Sequence, residues 1–212
     1  MSQWIDRIAA RMKRLAIPSL MKYLVICMGA VFVLDLVFAG QLSSLLFFSR
    51  DAIFGGQIWR LVTFIFLPIS SSPLFVVFVL YFYYMIGEAL EHEWGVARFN
   101  LFYLTGLIGT IIAGFISGFA TNHYLNLSLF FAYAILYPET ELRLFFVLPV
   151  KIKWLAWLNA AYFAYQLIVA SWSFRLALLV SIANLILFFQ GDVRRRIANE
   201  RRRREWQKHF RR

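Results

Sequence analysis

The chain has 212 residues, of which 61% are hydrophobic and 16% charged, with a formal net charge of +11 and a mean hydropathy of +0.67. Soluble domains run at about 45–50% apolar and about 25% charged, so a soluble globule is excluded. An aromatic content of 19% excludes a disordered chain, which leaves an integral membrane protein whose basic excess lies outside the bilayer.

Residues 1–19 form a basic segment, with Arg7, Arg11, Lys13 and Arg14 against Asp6. A helix needs about 20 apolar residues to cross the hydrocarbon core. The first such run, 20–39, follows Pro18 and is closed by Gly40. Its length and the missing A-x-A site read as a retained span. It holds the single cysteine, Cys27, so neither an intrachain disulfide nor a cysteine metal cluster is available. Asp35, near its outer end, is expected to serve a polar loop. Residues 41–67 are apolar but interrupted by Arg50-Asp51, Gly55-Gly56 and Trp59-Arg60, a pattern that predicts a structured outer loop lying partly in the interface. Pro68, Ser70 to Ser72 and Pro73 mark a hinge.

The second span is predicted at 74–89, followed by a turn over 88–99 that carries Glu88, Glu91, His92, Glu93 and Arg98. The third, 101–119, holds Gly106, Gly109, Gly114 and Gly118, small residues that allow close helix approach. The fourth, 124–137, is short and should be central, ending at Pro138. An apolar piece, 144–150, reads as re-entrant, and no strand is predicted anywhere. The fifth and sixth spans fall at 154–170 and 174–190, with Gly191 opening a basic tail over 191–212.

The expected fold is therefore all-α: a polytopic six-helix membrane domain over 20–190 between two basic ends. Residues 1–22 carry a net +4 and residues 191–212 a net +7, which accounts for the whole surplus. Basic flanks stay cytoplasmic, so both termini should lie on that side of the membrane. Arg201 to Arg204 suits anionic lipid, at about 1 kcal/mol per basic residue near the surface, rather than nucleic acid. Trp206 and Phe210 suit a short interfacial helix. His92 among Glu88, Glu91 and Glu93 reads as a solvated charge cluster, with no metal expected and no cofactor implied.

Several local motifs resemble the rhomboid superfamily of six-span intramembrane serine proteases and their inactive relatives, derlins included. Gly56-Gln57-Ile58-Trp59-Arg60-Leu61-Val62-Thr63 is similar to the family's G-Q-x-W-R-x-x-T segment. Glu91-x-x-x-Gly95 followed by Arg98-Phe99 is similar to its E-x-x-x-G and R-F pattern. The short fourth helix ending at Tyr137-Pro138, with the stretch 144–149 after it, adds to the resemblance, which runs over about 20–190. It implies that Trp59-Arg60 braces the outer loop. Glu91 and Arg98 are placed to tie the inner turn by an ion pair.

The resemblance also says where catalytic groups should be. The family places its serine in G-x-S-G at the start of the fourth helix and a histidine in the sixth, which takes the serine's proton. Here the histidines are His92, His123 and His209, none of them in the sixth span. Pro68 stands where the family usually has another histidine, and G-x-S-G is absent; Ile116-Ser117-Gly118 comes nearest. Ser128 is the one candidate nucleophile. His123, five residues before it, is poorly placed for a dyad, and Ser128 can equally bond its own backbone. Asn126 and Asn184 fall in the regions of the family's serine and histidine helices and are expected to bond each other or nearby backbone. Asn159, Gln166 and Ser181 are the other polar groups of the spans.

The reading is a rhomboid-like pseudoprotease in a bacterial-type cytoplasmic membrane, with lipid and transmembrane client proteins as partners. An active protease using Ser128 is the alternative, and a small transporter the third class.

Overall fold

The computed structural model describes residues 3–68, 72–144, 148–172 and 174–189. It is mostly helical. Helix α1 (Gln3–Met12) is followed by α2 (Leu20–Val37), and three short helices, α3 (Gln41–Leu46), α4 (Arg50–Phe54) and α5 (Arg60–Thr63), build the next segment, with a 3-10 turn at Phe64–Phe66. Then come α6 (Pro73–Trp94), α7 (Val96–Ser117) and α8 (His123–Leu136). A two-stranded hairpin, β1 (Glu141–Leu144) and β2 (Leu148–Lys151), leads to α9 (Ile152–Val169). The last helix, α10, is Phe174–Phe189.

Local chemistry accounts for most boundaries. Pro73 opens α6 at a first-turn position, where its missing amide costs nothing. Gly95 alone separates α6 from α7; its φ of 82° and ψ of 155° belong to a region that glycine alone enters freely. Pro138 follows the end of α8, because the residue before a proline is steered out of the helical region. The expected turn after 89 is corrected by α6, which runs on to Trp94 and carries Glu91, His92 and Glu93 on helix. α7 likewise begins five residues before the predicted 101.

All six apolar runs read from the sequence are helical. Three are long and apolar enough to cross a membrane: α2 with 18 residues and mean hydropathy 2.1, α6 with 22 and 1.7, and α7 with 22 and 1.8. α8 and α10 are shorter apolar helices. α9 has 18 residues, but Lys153, Asn159 and Gln166 dilute it.

α8 is the buried centre. Nine of its 14 residues are buried, against two of the 18 in α9. α6, α7 and α9 all pack on it. α2 lies along α6, where Gly87 admits Met21: a β-carbon at Gly87 would stand 2.3 Å from Met21 Cβ. Below α8, Phe102 meets Phe188 edge-on at 5.0 Å and Trp94 at 5.3 Å, closing α6, α7 and α10 around one aromatic cluster. The outward faces stay apolar, as in the stripe Leu104, Ile108, Ile112 and Ile116 on α7, which is what a lipid-facing surface requires.

Two expectations are overturned. Where no strand was expected, β1 and β2 pair antiparallel, with Glu141 facing Lys151 and Leu142 facing Val150, while 145–147 of the apolar piece lie outside the described residues. Gly118 is not a packing glycine; its φ is 93°, nothing stands within 4 Å of its β-position, and it caps α7 by donating to the Gly114 carbonyl at 2.8 Å. The segment read as merely basic, 1–19, contains the amphipathic α1, which packs on α7 with Ala9 buried and Arg7 and Arg11 exposed. The predicted interfacial helix around Trp206 and Phe210 lies outside the described residues.

Candidate functional site

The GQxWRxxT segment forms one polar brace. The last carbonyls of a helix have no internal partners, and α3 ends after Leu46. Arg60 Nη1 donates to the Ser44 carbonyl at 3.0 Å and to the Phe47 carbonyl at 2.8 Å. Trp59 Nε1 donates to Leu45 O at 3.2 Å, and Thr63 Oγ1 to Leu46 O at 3.0 Å. Four successive carbonyls are thus covered by three side chains of one short segment. Gln57 Oε1 accepts from Arg60 Nε at 2.6 Å and orients the guanidinium, which also lies 4.8 Å from the Phe47 ring centre. A cation at a helix C-terminus is also favoured by the helix dipole. The other end of α3 is held by Asp35, whose carboxylate accepts from the Ser43 amide at 2.8 Å and the Ser43 hydroxyl at 2.6 Å. Asp35 therefore serves the loop, as its position suggested.

At the opposite end of the bundle, Glu91 Oε1 accepts from the Ser19 amide at 2.8 Å, at the start of α2. Asn100 grips the Ile17 peptide from both sides: its Oδ1 accepts from Ile17 N and its Nδ2 donates to Ile17 O, each at 2.9 Å. Phe99 beside it is fully buried, and Arg98 precedes it on the first turn of α7. A cavity of about 280 Å³ here is lined by Lys22, Tyr84, Glu88, Glu91 and His92, among others. Among the described residues, no three His, Cys, Asp or Glu side chains are grouped as metal ligands would be. Between α8 and α9, Glu139 accepts from Lys153 at 2.7 Å and Lys151 at 3.0 Å, and both ammonium groups, Lys153 first, hold its carboxyl below the usual range.

The centre of interest is α8. Ser128 is buried, and its hydroxyl donates to the Leu125 carbonyl of its own helix at 2.7 Å. Of the two arrangements expected for Asn126 and Asn184, a bond to each other or to nearby backbone, the bond between them is not formed. Asn184 turns to α7 instead: its Oδ1 accepts from Thr105 Oγ1 at 2.9 Å and its Nδ2 donates to Phe102 O at 3.2 Å. Gly106 makes this possible, since a β-carbon there would stand 2.9 Å from Asn184 Nδ2. α10 reaches α8 through Ser181 Oγ, which donates to Tyr124 O at 2.7 Å. Asn126 has neither donor nor acceptor satisfied among the described residues; the Tyr83 hydroxyl comes near it, but without hydrogen-bond geometry. Asn159 is tied to Leu155 O of its own helix at 2.9 Å.

Asn126 lines a crevice of about 340 Å³ between α6 and α9, with α8 as its floor. Phe75, Phe78 and Phe82 come from α6, His123, Asn126 and Phe130 from α8, and Leu155 and Asn159 from α9. Of Asn126, Ser128 and Asn184, Asn126 thus lines the crevice and the other two are bonded elsewhere. The packing glycines differ in what they admit: Gly106 faces Leu125 and Asn184, Gly109 faces Val180, and Gly114 faces Phe48 and Ala120.

The sequence reading missed Asn122. Its Nδ2 donates to Ile65 O and Leu67 O, each at 2.9 Å, and fastens the start of α8 to the end of the 3-10 turn. An asparagine just before an apolar run is a helix-start signal and was available. No protein-family model matches the chain, and no curated protein matches it.

Proposed function

We propose that this chain is a six-span membrane protein of rhomboid-like fold that holds transmembrane segments of client proteins without cleaving them. The observation that carries the reading is the crevice between α6 and α9, an apolar opening on the side of the bundle whose floor, α8, offers no activated nucleophile. Ser128, the candidate nucleophile, donates its hydroxyl hydrogen bond to Leu125 O. A serine nucleophile needs a base on that proton. The two basic ends support a cytoplasmic placement of both termini in a bacterial-type membrane.

The test uses the full chain in its own membrane. A photocrosslinking residue at Phe78, in the crevice, should capture membrane-spanning segments of other proteins, whereas one at Ile112, on the outer face of α7, should not. The purified protein in proteoliposomes should cleave none of the captured partners and should resist fluorophosphonate. Cleavage abolished by Ser128→Ala, or covalent labelling of Ser128, overturns the reading in favour of an active protease.

A further inference from the structure

Among the described residues, four asparagines are buried: Asn100, Asn122, Asn126 and Asn184. Asn100 and Asn184 each use both ends of the carboxamide, and Asn122 donates twice. Asn126 is fully buried, and neither its Nδ2 nor its Oδ1 has a partner of hydrogen-bond geometry among the described residues, the Tyr83 hydroxyl that lines the same crevice standing near it without forming one. A buried, unpaired amide is among the costlier features a fold can keep, and such exceptions call for an explanation. This one lies at the floor of a lateral crevice walled by aromatic rings.

We propose that Asn126 is a recognition residue for a side-chain carboxamide, Asn or Gln, carried at matching depth by a membrane-spanning helix laid across the crevice. The inference rests on the client-binding function above and names what that client presents. The orphan offers one donor side and one acceptor side, and a second carboxamide matches both at once in a cyclic pair. Asn100 uses both sides of its carboxamide in this way, on the backbone N–H and C=O of Ile17. A lipid ester brings acceptors only and leaves Oδ1 unpaired. The partner's backbone does not serve either, because a helix in hydrocarbon spends its amides internally. The volume, about 340 Å³, suits one or two side chains reaching in from outside rather than a whole helix. Since Asn126 is sealed, entry requires a wall ring to swing, and the stacked pair Phe78 and Phe82, 6.3 Å between centres, stands on that wall.

The test reconstitutes the full chain in phosphatidylethanolamine–phosphatidylglycerol vesicles with synthetic Leu-Ala transmembrane helices bearing Asn, Gln or Leu at the centre, and follows association by fluorescence transfer. The Asn and Gln helices should bind about 3- to 15-fold tighter than the Leu helix, the range of polar pairs measured within membranes. Asn126→Leu should erase that preference and, because it removes the orphan, leave the protein at least as heat-stable; Asn126→Gln should retain part of it. Equal binding of all three helices sinks carboxamide recognition but leaves client binding standing. Absence of binding by any helix sinks both. A preference that survives in a folded Asn126→Leu protein overturns the assignment.

Discussion

Replacing Arg60 by alanine should loosen the loop ahead of α6. Arg60 is 5% exposed, and its guanidinium serves the Ser44 and Phe47 carbonyls and Gln57. Removing it orphans two backbone acceptors, at about 1–3 kcal/mol each when buried. Ser44 and Phe47 are themselves exposed residues, so water reaches part of this region and the lower half of that range applies. The sum is about 2–4 kcal/mol. At about 2–4 °C per kcal/mol for a chain of this size, the melting temperature should fall by about 4–16 °C. Arg60→Lys keeps the charge but not the planar fork, so it should recover less than half of the loss. Thermal unfolding of the detergent-solubilised protein measures both. A fall under about 2 °C for Arg60→Ala, or full recovery by lysine, refutes the argument, because the first makes the carbonyl bonds worthless and the second makes the charge alone sufficient.

Gly87→Ala should cost about 1–3 kcal/mol by forcing α2 away from α6, since the new β-carbon meets Met21 Cβ, which a rotamer change does not move; Gly29→Ala, with only Leu80 Cδ1 at 3.5 Å, is the matched helix-packing control and should be nearly neutral in the same melt. Glu139 has its folded pKa lowered by Lys153 and Lys151, so its contribution is present above the unfolded value and is lost as pH falls through the folded one. The protection factors of the hairpin amides, corrected for the slower intrinsic exchange at low pH, should therefore fall on acidification in the wild type, and Glu139→Gln should remove that acid-dependent part; protection factors that do not change with pH tell against the ion pairs. In a double-mutant cycle on thermal stability, Thr105→Val and Asn184→Leu should couple by 0.5 kcal/mol or more, while Asn126→Leu and Asn184→Leu should add within about 0.3–0.5 kcal/mol; the reverse pattern restores the pairing first expected from the sequence.

The helices were legible because apolar runs bounded by proline and glycine are a strong local signal. The misplaced boundaries have particular causes. Glu91, His92 and Glu93 look like a turn, yet a helix leaving the apolar layer gains from polar residues, so α6 continues to Gly95. Glu141-Leu142-Arg143-Leu144 alternates polar and apolar, a strand period, but the apolar residues that follow masked it. The brace was visible as a motif, while its acceptors were not: Ser44 to Phe47 act through carbonyls, which no letter of the sequence distinguishes.

The asparagines mark the limit most sharply. Asn126 and Asn184 lie on the two helices where a pairing looked natural, but helix identity says nothing of depth or azimuth. The deciding residue is Gly106, on a third helix. Its missing side chain leaves room beside α7, and Asn184 fills that room and finds Thr105 and Phe102. Thr105 otherwise bonds the Leu101 and Phe102 carbonyls of its own turn, so nothing local announces it as a partner 79 residues away. Once α10 is committed to α7, Asn126 is left facing α6 and α9 with its amide unmatched. The same small residue therefore fixes the packing of one asparagine and the availability of the other.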